Sequence, residues 1–300
     1  SKTRIYECSE HKPLYVMCAY YETNLTRNIN VKIGLGTVYV HTDKGLNRIK
    51  QFATKHAWLD TIANAGILTV LITALLGVGT FLLAAISSVG ADQTATNNAK
   101  NALLIPGVND FIPLHATPAI LLVLFVTAAA HEIAHALLAF RADYPVEEWG
   151  IILLLGIIPL GAYVKIPPEQ IQTGSIWASL RTLAAGITAN YLLFAVTITA
   201  AILFNIPLLD GYRYYFQLLP AVPAVESISF ITSITFWMAF LNINLAVVNA
   251  LPIYGLDGGH MAHIAYDATF PTIPKKTLTY TVTSLTAILV LSVFIIPRIT

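Results

Sequence analysis

Five long stretches of this 300-residue chain contain no charged side chain: 61–91, 116–130, 182–209, 227–256 and 277–297. A helix needs about 20 apolar residues to cross the hydrocarbon of a bilayer, and four of the five stretches reach that length unaided. The second reaches it only by running on to Phe140, through His131, Glu132 and His135. Charged residues make up 11% of the chain and hydrophobic ones 56%. A soluble domain carries about 25% charged residues, so this chain lacks the polar groups to coat a water-facing surface. The sequence therefore predicts an α-helical polytopic membrane protein with about five to six transmembrane helices.

Residues 1–56 are polar, with alternating stretches such as Val38-Tyr-Val-His41. They read as a small extramembrane domain with some strand, followed by a membrane domain over 57–300. Cys8 and Cys18, with His11 between them, match no common zinc spacing and read as two ordinary thiols. A net charge of +1 gives no reason to expect a nucleic-acid partner.

Lys44, Arg48, Lys50 and Lys55 precede the first span, and positive charge beside a span tends to stay in the cytoplasm. Alternating the spans from there puts Arg141, Lys165, Arg181, Lys275 and Lys276 on the same side. Lys100, Arg213 and Arg298 fall outside. Nine against three is a consistent topology, with a cytoplasmic N-terminus. The apolar stretch 149–164 is too short to span and is interrupted by Gly156, Pro159 and Gly161. Irregular backbone at membrane depth needs protein or a water-filled cavity around it, so this stretch reads as a re-entrant, β-type hairpin. Thr117 and Pro118 read as the cap and first turn of the second span.

That second span holds His131-Glu132-Ile-Ala-His135. Two histidines four apart share one helix face, where both imidazoles can grip one zinc ion. Zinc held in this way makes water nucleophilic at neutral pH. Glu132, next to the first histidine, can take that water's proton and later pass it to a leaving amine. A carboxylate and two imidazoles inside a spanning helix are expensive unless they have a task or a partner. A catalytic zinc takes a third protein ligand and keeps one position open. The candidates downstream are Glu147, Glu148, Glu169, Asp257, His260 and His263. Asp257 follows Pro252, which should break the helix, and precedes Gly258 and Gly259, which permit a sharp turn.

Four segments together resemble the site-2 proteases, a family of intramembrane zinc metalloproteases. The family pairs a His-Glu-x-x-His helix with a later Asn-x2-Pro-x4-Asp-Gly segment, and 249–258 fits the latter position for position. Pro159-Leu-Gly161-Ala162-Tyr163-Val164-Lys165 resembles the family's Pro-Leu-Gly-Gly-Tyr-Val-Lys stretch, with Ala162 in place of the second glycine. Ala185-Gly186-Ile187-Thr-Ala-Asn190 resembles its Ala-Gly-Pro-x-x-Asn motif, with Ile187 in place of the proline. The resemblance covers about 117–260, the catalytic core. It implies one catalytic zinc held by His131, His135 and Asp257, with Glu132 as general base. Asn249 then either polarises the scissile carbonyl or makes an interhelical hydrogen bond.

An extended substrate could pair with strand edges around Gly161, Tyr163 and Val164. The expected partners are a membrane-spanning protein or peptide substrate and the lipid bilayer, with cleavage near the cytoplasmic leaflet. Two other readings use the same residues: a cation- or proton-coupled transporter, and a non-enzymatic membrane scaffold. Spacing also raises a geometric problem. His131 lies ten residues from Arg141, about 15 Å inside the cytoplasmic charges, whereas a straight helix from Glu226 to Asp257 would be about 45 Å long. The last segment must start late, tilt or fold back near Pro252.

Overall fold

The structure, a computed structural model, describes residues 4–6, 20–26, 29–34, 36–87, 112–216, 227–269, 272 and 274–295. Cys8, His11 and Cys18 lie outside the described residues. In chain order the elements are β1 (Arg4–Tyr6), β2 (Tyr20–Thr26), β3 (Ile29–Gly34), β4 (Thr37–Thr42), α1 (Leu46–Lys55) and α2 (Trp58–Ser87). There follow α3 (Thr117–Arg141), β5 (Glu148–Leu154), β6 (Ile158–Lys165), α4 (Pro168–Thr173) and α5 (Ile176–Leu203). The chain continues through α6 (Leu208–Phe216), α7 (Phe230–Ala250) and α8 (Asp257–Thr269) to α9 (Lys275–Ile295).

Five helices, α2, α3, α5, α7 and α9, are long and apolar enough to cross a membrane. Their outward faces confirm that they are not built for water: Leu75 is 76% exposed and Leu83 69%, within a nearly continuous leucine surface on α2. Soluble monomers rarely expose contiguous apolar patches of this kind. The uncharged stretch 182–209 is divided between two elements, because Asn205 adopts a left-handed backbone and ends the helix before α6. Helix α5 is central, packed against α2, α3, α7 and α8. Ala184, Ala185 and Gly186 are buried there, and small side chains let neighbouring backbones approach closely. The motif 185–190 is thus continuous helix, so Ile187 sits in a regular turn of α5.

The two ends of the bundle differ chemically. At one end Arg141, closing α3, bonds Asp60 at the start of α2, and Arg181, near the start of α5, donates to Asn64 at 2.7 Å. At the other end Tyr214 and Tyr215 of α6 meet His115, Phe236 and Trp237. Thr117 does not cap α3: its hydroxyl donates to the Leu114 carbonyl at 2.6 Å, and a short 3-10 turn over Leu114–Ala116 leads into the helix.

The hairpin is not isolated. Strands β1 to β6 form one antiparallel sheet in sequence order, with β4 paired to β5 from Thr37↔Leu154 to Thr42↔Trp149. The polar N-terminal strands therefore cover one edge of the hairpin, and only β6 ends the sheet on that side. Leu155 and Gly156, with φ of 52° and 75°, make the tight turn between β5 and β6. With Ile157 they form a three-residue connection, closed by the bond from Ile157 N–H to the Leu154 carbonyl.

Candidate metal centre

The sequence spacing of His131 and His135 places both imidazoles on one face of α3, with their Nε2 atoms 3.1 Å apart. Asp257 reaches the same point from the other end of the chain, its Oδ2 3.1 Å from His131 Nε2 and 3.3 Å from His135 Nε2. All three residues are buried or nearly so, and among the described residues they form a group able to hold a metal ion.

The placement of Asp257 resolves the length problem. Helix α7 runs only from Phe230 to Ala250, about 31 Å at 1.5 Å per residue. Leu251 turns to extended backbone before Pro252, which cannot continue a helix. Gly255 takes φ 103°, and Asp257 then opens α8. The chain folds back rather than overshooting. Gly258 and Gly259 do not make the turn. They lie in the first turn of α8, where a Cβ would collide with the carbonyls of Ala250 and Ile253. Their role is close approach: α8 starts directly against the end of α7.

Helix α5 backs the histidines. The Thr182 carbonyl accepts from His135 Nδ1 at 2.7 Å, and the Asn190 amide lies 3.2 Å from His131 Nδ1. Between them Gly186 faces the pair so closely that a Cβ there would meet both Nε2 atoms, His135's at 2.5 Å. Glu132, between the histidines in sequence, faces the sheet instead. Its Oε2 accepts the Val164 N–H at 2.9 Å. Because Val164 gives its N–H to α3 and not to β5, the alternation of an antiparallel ladder turns the backbone groups of Ala162 outward as well. Gly161, whose Cβ position faces open space, and Tyr163, packed edge-on against Tyr39, complete that strand.

The other acidic and histidine candidates lie elsewhere. Glu148 is held by Lys32 at 3.0 Å and His41 at 2.7 Å, and Glu147 by Lys165 at 2.6 Å. Glu169 is exposed on α4. His263 bonds Thr279 at 2.6 Å, and His260 packs against the ring of Tyr254. Asn249 is half-buried in the last turn of α7.

The three converging atoms fit zinc. A tetrahedral ion with ligands at about 2.0–2.2 Å keeps them about 3.3–3.5 Å apart, within a few tenths of the observed separations. Asp257 Oδ2 is buried and faces only the two imidazole Nε2 atoms, and a buried carboxylate is costly unless paired. A cation among these atoms would pair the carboxylate and take the lone pairs of both imidazoles at once. Sequence reasoning had no signal for the Thr182 carbonyl or for Val164 N–H, because backbone groups carry no residue identity. Asn190 and Gly186 were visible only as parts of a motif.

Comparison with known proteins agrees with this geometry. The model of peptidase family M50 matches residues 119–293, more than half of the chain. The chain belongs to peptidase family M50. That assignment bears out the resemblance to site-2 proteases and makes the chain a member of a zinc metalloprotease family. The matched M50 region begins in α3 and ends in α9, so it contains all three converging residues. A protein of Mycobacterium tuberculosis carrying the name "Putative zinc metalloprotease Rip3", from strains Erdman and H37Rv, is 31% identical over 138 residues. The aligned part is 46% of this chain and 28% of the relative, so the chain spans well under half of that protein. No solved structure matches the chain.

Proposed function

We propose that this chain is an intramembrane zinc endopeptidase that hydrolyses membrane-spanning proteins near the cytoplasmic leaflet. One observation carries the reading: His131 and His135, on a helix of membrane-spanning length, converge with Asp257 at zinc-ligand separations inside a bundle of such helices. His131, His135 and Asp257 hold the ion. When bound, zinc makes water nucleophilic at neutral pH and polarises a carbonyl oxygen.

Glu132 acts as general base. The Val164 N–H fixes one of its carboxylate oxygens, leaving the other to accept the water's proton and later deliver it to the leaving amine. The substrate must be extended, since a helix hides its carbonyls in its own hydrogen bonds. Strand β6 offers an edge for such a segment, with Gly161 sterically open, the backbone groups of Ala162 and the carbonyl of Val164 turned outward, and Tyr163 braced against Tyr39. A strand added there lies beside Glu132. Asn249 supplies an amide for the developing oxyanion.

The nine-to-three distribution of basic residues puts the N-terminal strands and the Arg141–Asp60 end in the cytoplasm. The metal then lies about 15 Å inside that face.

The test is metal analysis with a cleavage assay on purified full chain and a single-span substrate, wild type beside Glu132→Ala. The expected result is about one zinc per chain in both, with cleavage in the wild type alone. Wild-type protein free of zinc, or cleavage by Glu132→Ala at the wild-type rate, would overturn the proposal.

A further inference from the structure

His135 has a settled tautomer. A carbonyl can only accept, so the bond to Thr182 makes Nδ1 the protonated nitrogen and leaves the Nε2 lone pair facing the cluster. His131 has a different neighbour. Its Nδ1 faces Nδ2 of Asn190 at 3.2 Å, and Asn190 has no exposed surface at all. An amide has two orientations of nearly equal shape and opposite chemistry.

With Nδ2 toward the ring, Asn190 donates to Nδ1. The His131 proton then sits on Nε2, pointing at His135 Nε2 and Asp257 Oδ2. That arrangement suits the three side chains without an ion, and it leaves Asn190 Oδ1 buried and without a partner. With Oδ1 toward the ring, Asn190 accepts from Nδ1–H, and the Nε2 lone pair is delivered to the cluster. Only the second arrangement presents two imidazole lone pairs and a carboxylate to one cation. The first blocks it with a proton.

We infer that Asn190 is a positioning residue that selects the metal-binding tautomer of His131 by accepting its Nδ1–H. Helix α5 thereby supplies the outer hydrogen bond to both histidines: a backbone carbonyl for one, a side-chain carbonyl for the other. The inference rests on the metal-centre reading above, but it assigns a role to a residue outside the ligand set. Ligating histidines are ordinarily held through their second nitrogen, and losing that partner costs about 10–100-fold in metal affinity.

The experiment is chelator competition for zinc on purified full chain in detergent, with thermal unfolding of the metal-free protein alongside. Asn190→Leu keeps the branched shape but removes the acceptor, and should weaken zinc binding at least about tenfold. Asn190→Asp keeps an acceptor in the same place and should bind zinc at least as tightly as wild type. Metal-free unfolding reports the structural cost of losing Nδ2 in each variant, whereas a purely structural role would leave folded Asn190→Leu and folded Asn190→Asp with the same zinc affinity. Wild-type affinity in Asn190→Leu would overturn the inference, as would loss of zinc from a folded Asn190→Asp. Absence of zinc from the wild type would instead sink the metal centre itself, so the two failures are distinguishable. Should Asn190→Leu fail to fold, the Asn190→Asp arm still decides.

Discussion

Replacing Gly186 with alanine is the sharpest perturbation of the centre, because it adds one methyl group and removes no ligand. The new Cβ would lie 2.5 Å from His135 Nε2 and closer still to His131 Nε2. Ordinary contact between a methyl carbon and a ring nitrogen is about 3.5 Å, so at least one imidazole must retreat by about 1 Å. A metal site tolerates displacements of about 0.2 Å. The demanded movement is therefore about five times what the coordination can absorb, and zinc affinity should fall at least about 100-fold. Stability should change far less. Alanine in a helix interior gains about 1 kcal/mol over glycine, whereas overpacking costs about 1–3 kcal/mol. The two nearly offset, so metal-free Gly186→Ala should unfold within a few degrees of the metal-free wild type. Chelator competition on the purified protein measures the first quantity and thermal unfolding the second. If Gly186→Ala bound one zinc per chain with wild-type affinity, the placement of α5 against the histidines would be wrong.

Two further predictions test the third ligand and the strand. Asp257→Ala should lower zinc content from about one per chain to near zero, while Glu169→Ala, altered on the exposed face of α4, should leave it unchanged; element analysis of both variants checks this. Val164→Pro removes the N–H that holds Glu132, and it spares the β5 ladder because that N–H faces away from it. Cleavage should drop at least about 100-fold with zinc retained, read by turnover of a single-span substrate; undiminished turnover would remove the strand from the mechanism.

Much of the architecture was legible because it rests on local composition. The absence of charge over 61–91 and 277–297 predicts spans, and α2 and α9 occupy them. Pro252 stops α7 as its chemistry requires. Other features were misread for a consistent reason. Thr117 has the side chain of a cap, yet the 3-10 turn before it presents a carbonyl, so its hydroxyl donates. Gly258 and Gly259 look like turn residues, but the turn belongs to Gly255, and they serve contact between α7 and α8. The pairing of the hairpin with β4 had no signal in the sequence, because that strand lies more than 100 residues earlier. Each of these concerns what comes near a residue, which its own sequence neighbourhood does not encode.

By itself, the sequence determined that the chain lives in a bilayer and that two imidazoles four residues apart share a face of one buried helix. Helical periodicity and the cost of bare polar groups in lipid suffice for both. Tertiary structure alone decided that Asp257 returns to the level of the histidines, that α5 presses Gly186 and Asn190 against them, and that β6 hands an N–H to Glu132. Those placements arise from backbone folding back at Pro252 and from helices approaching where side chains are smallest, and packing of that kind joins residues that no local pattern links.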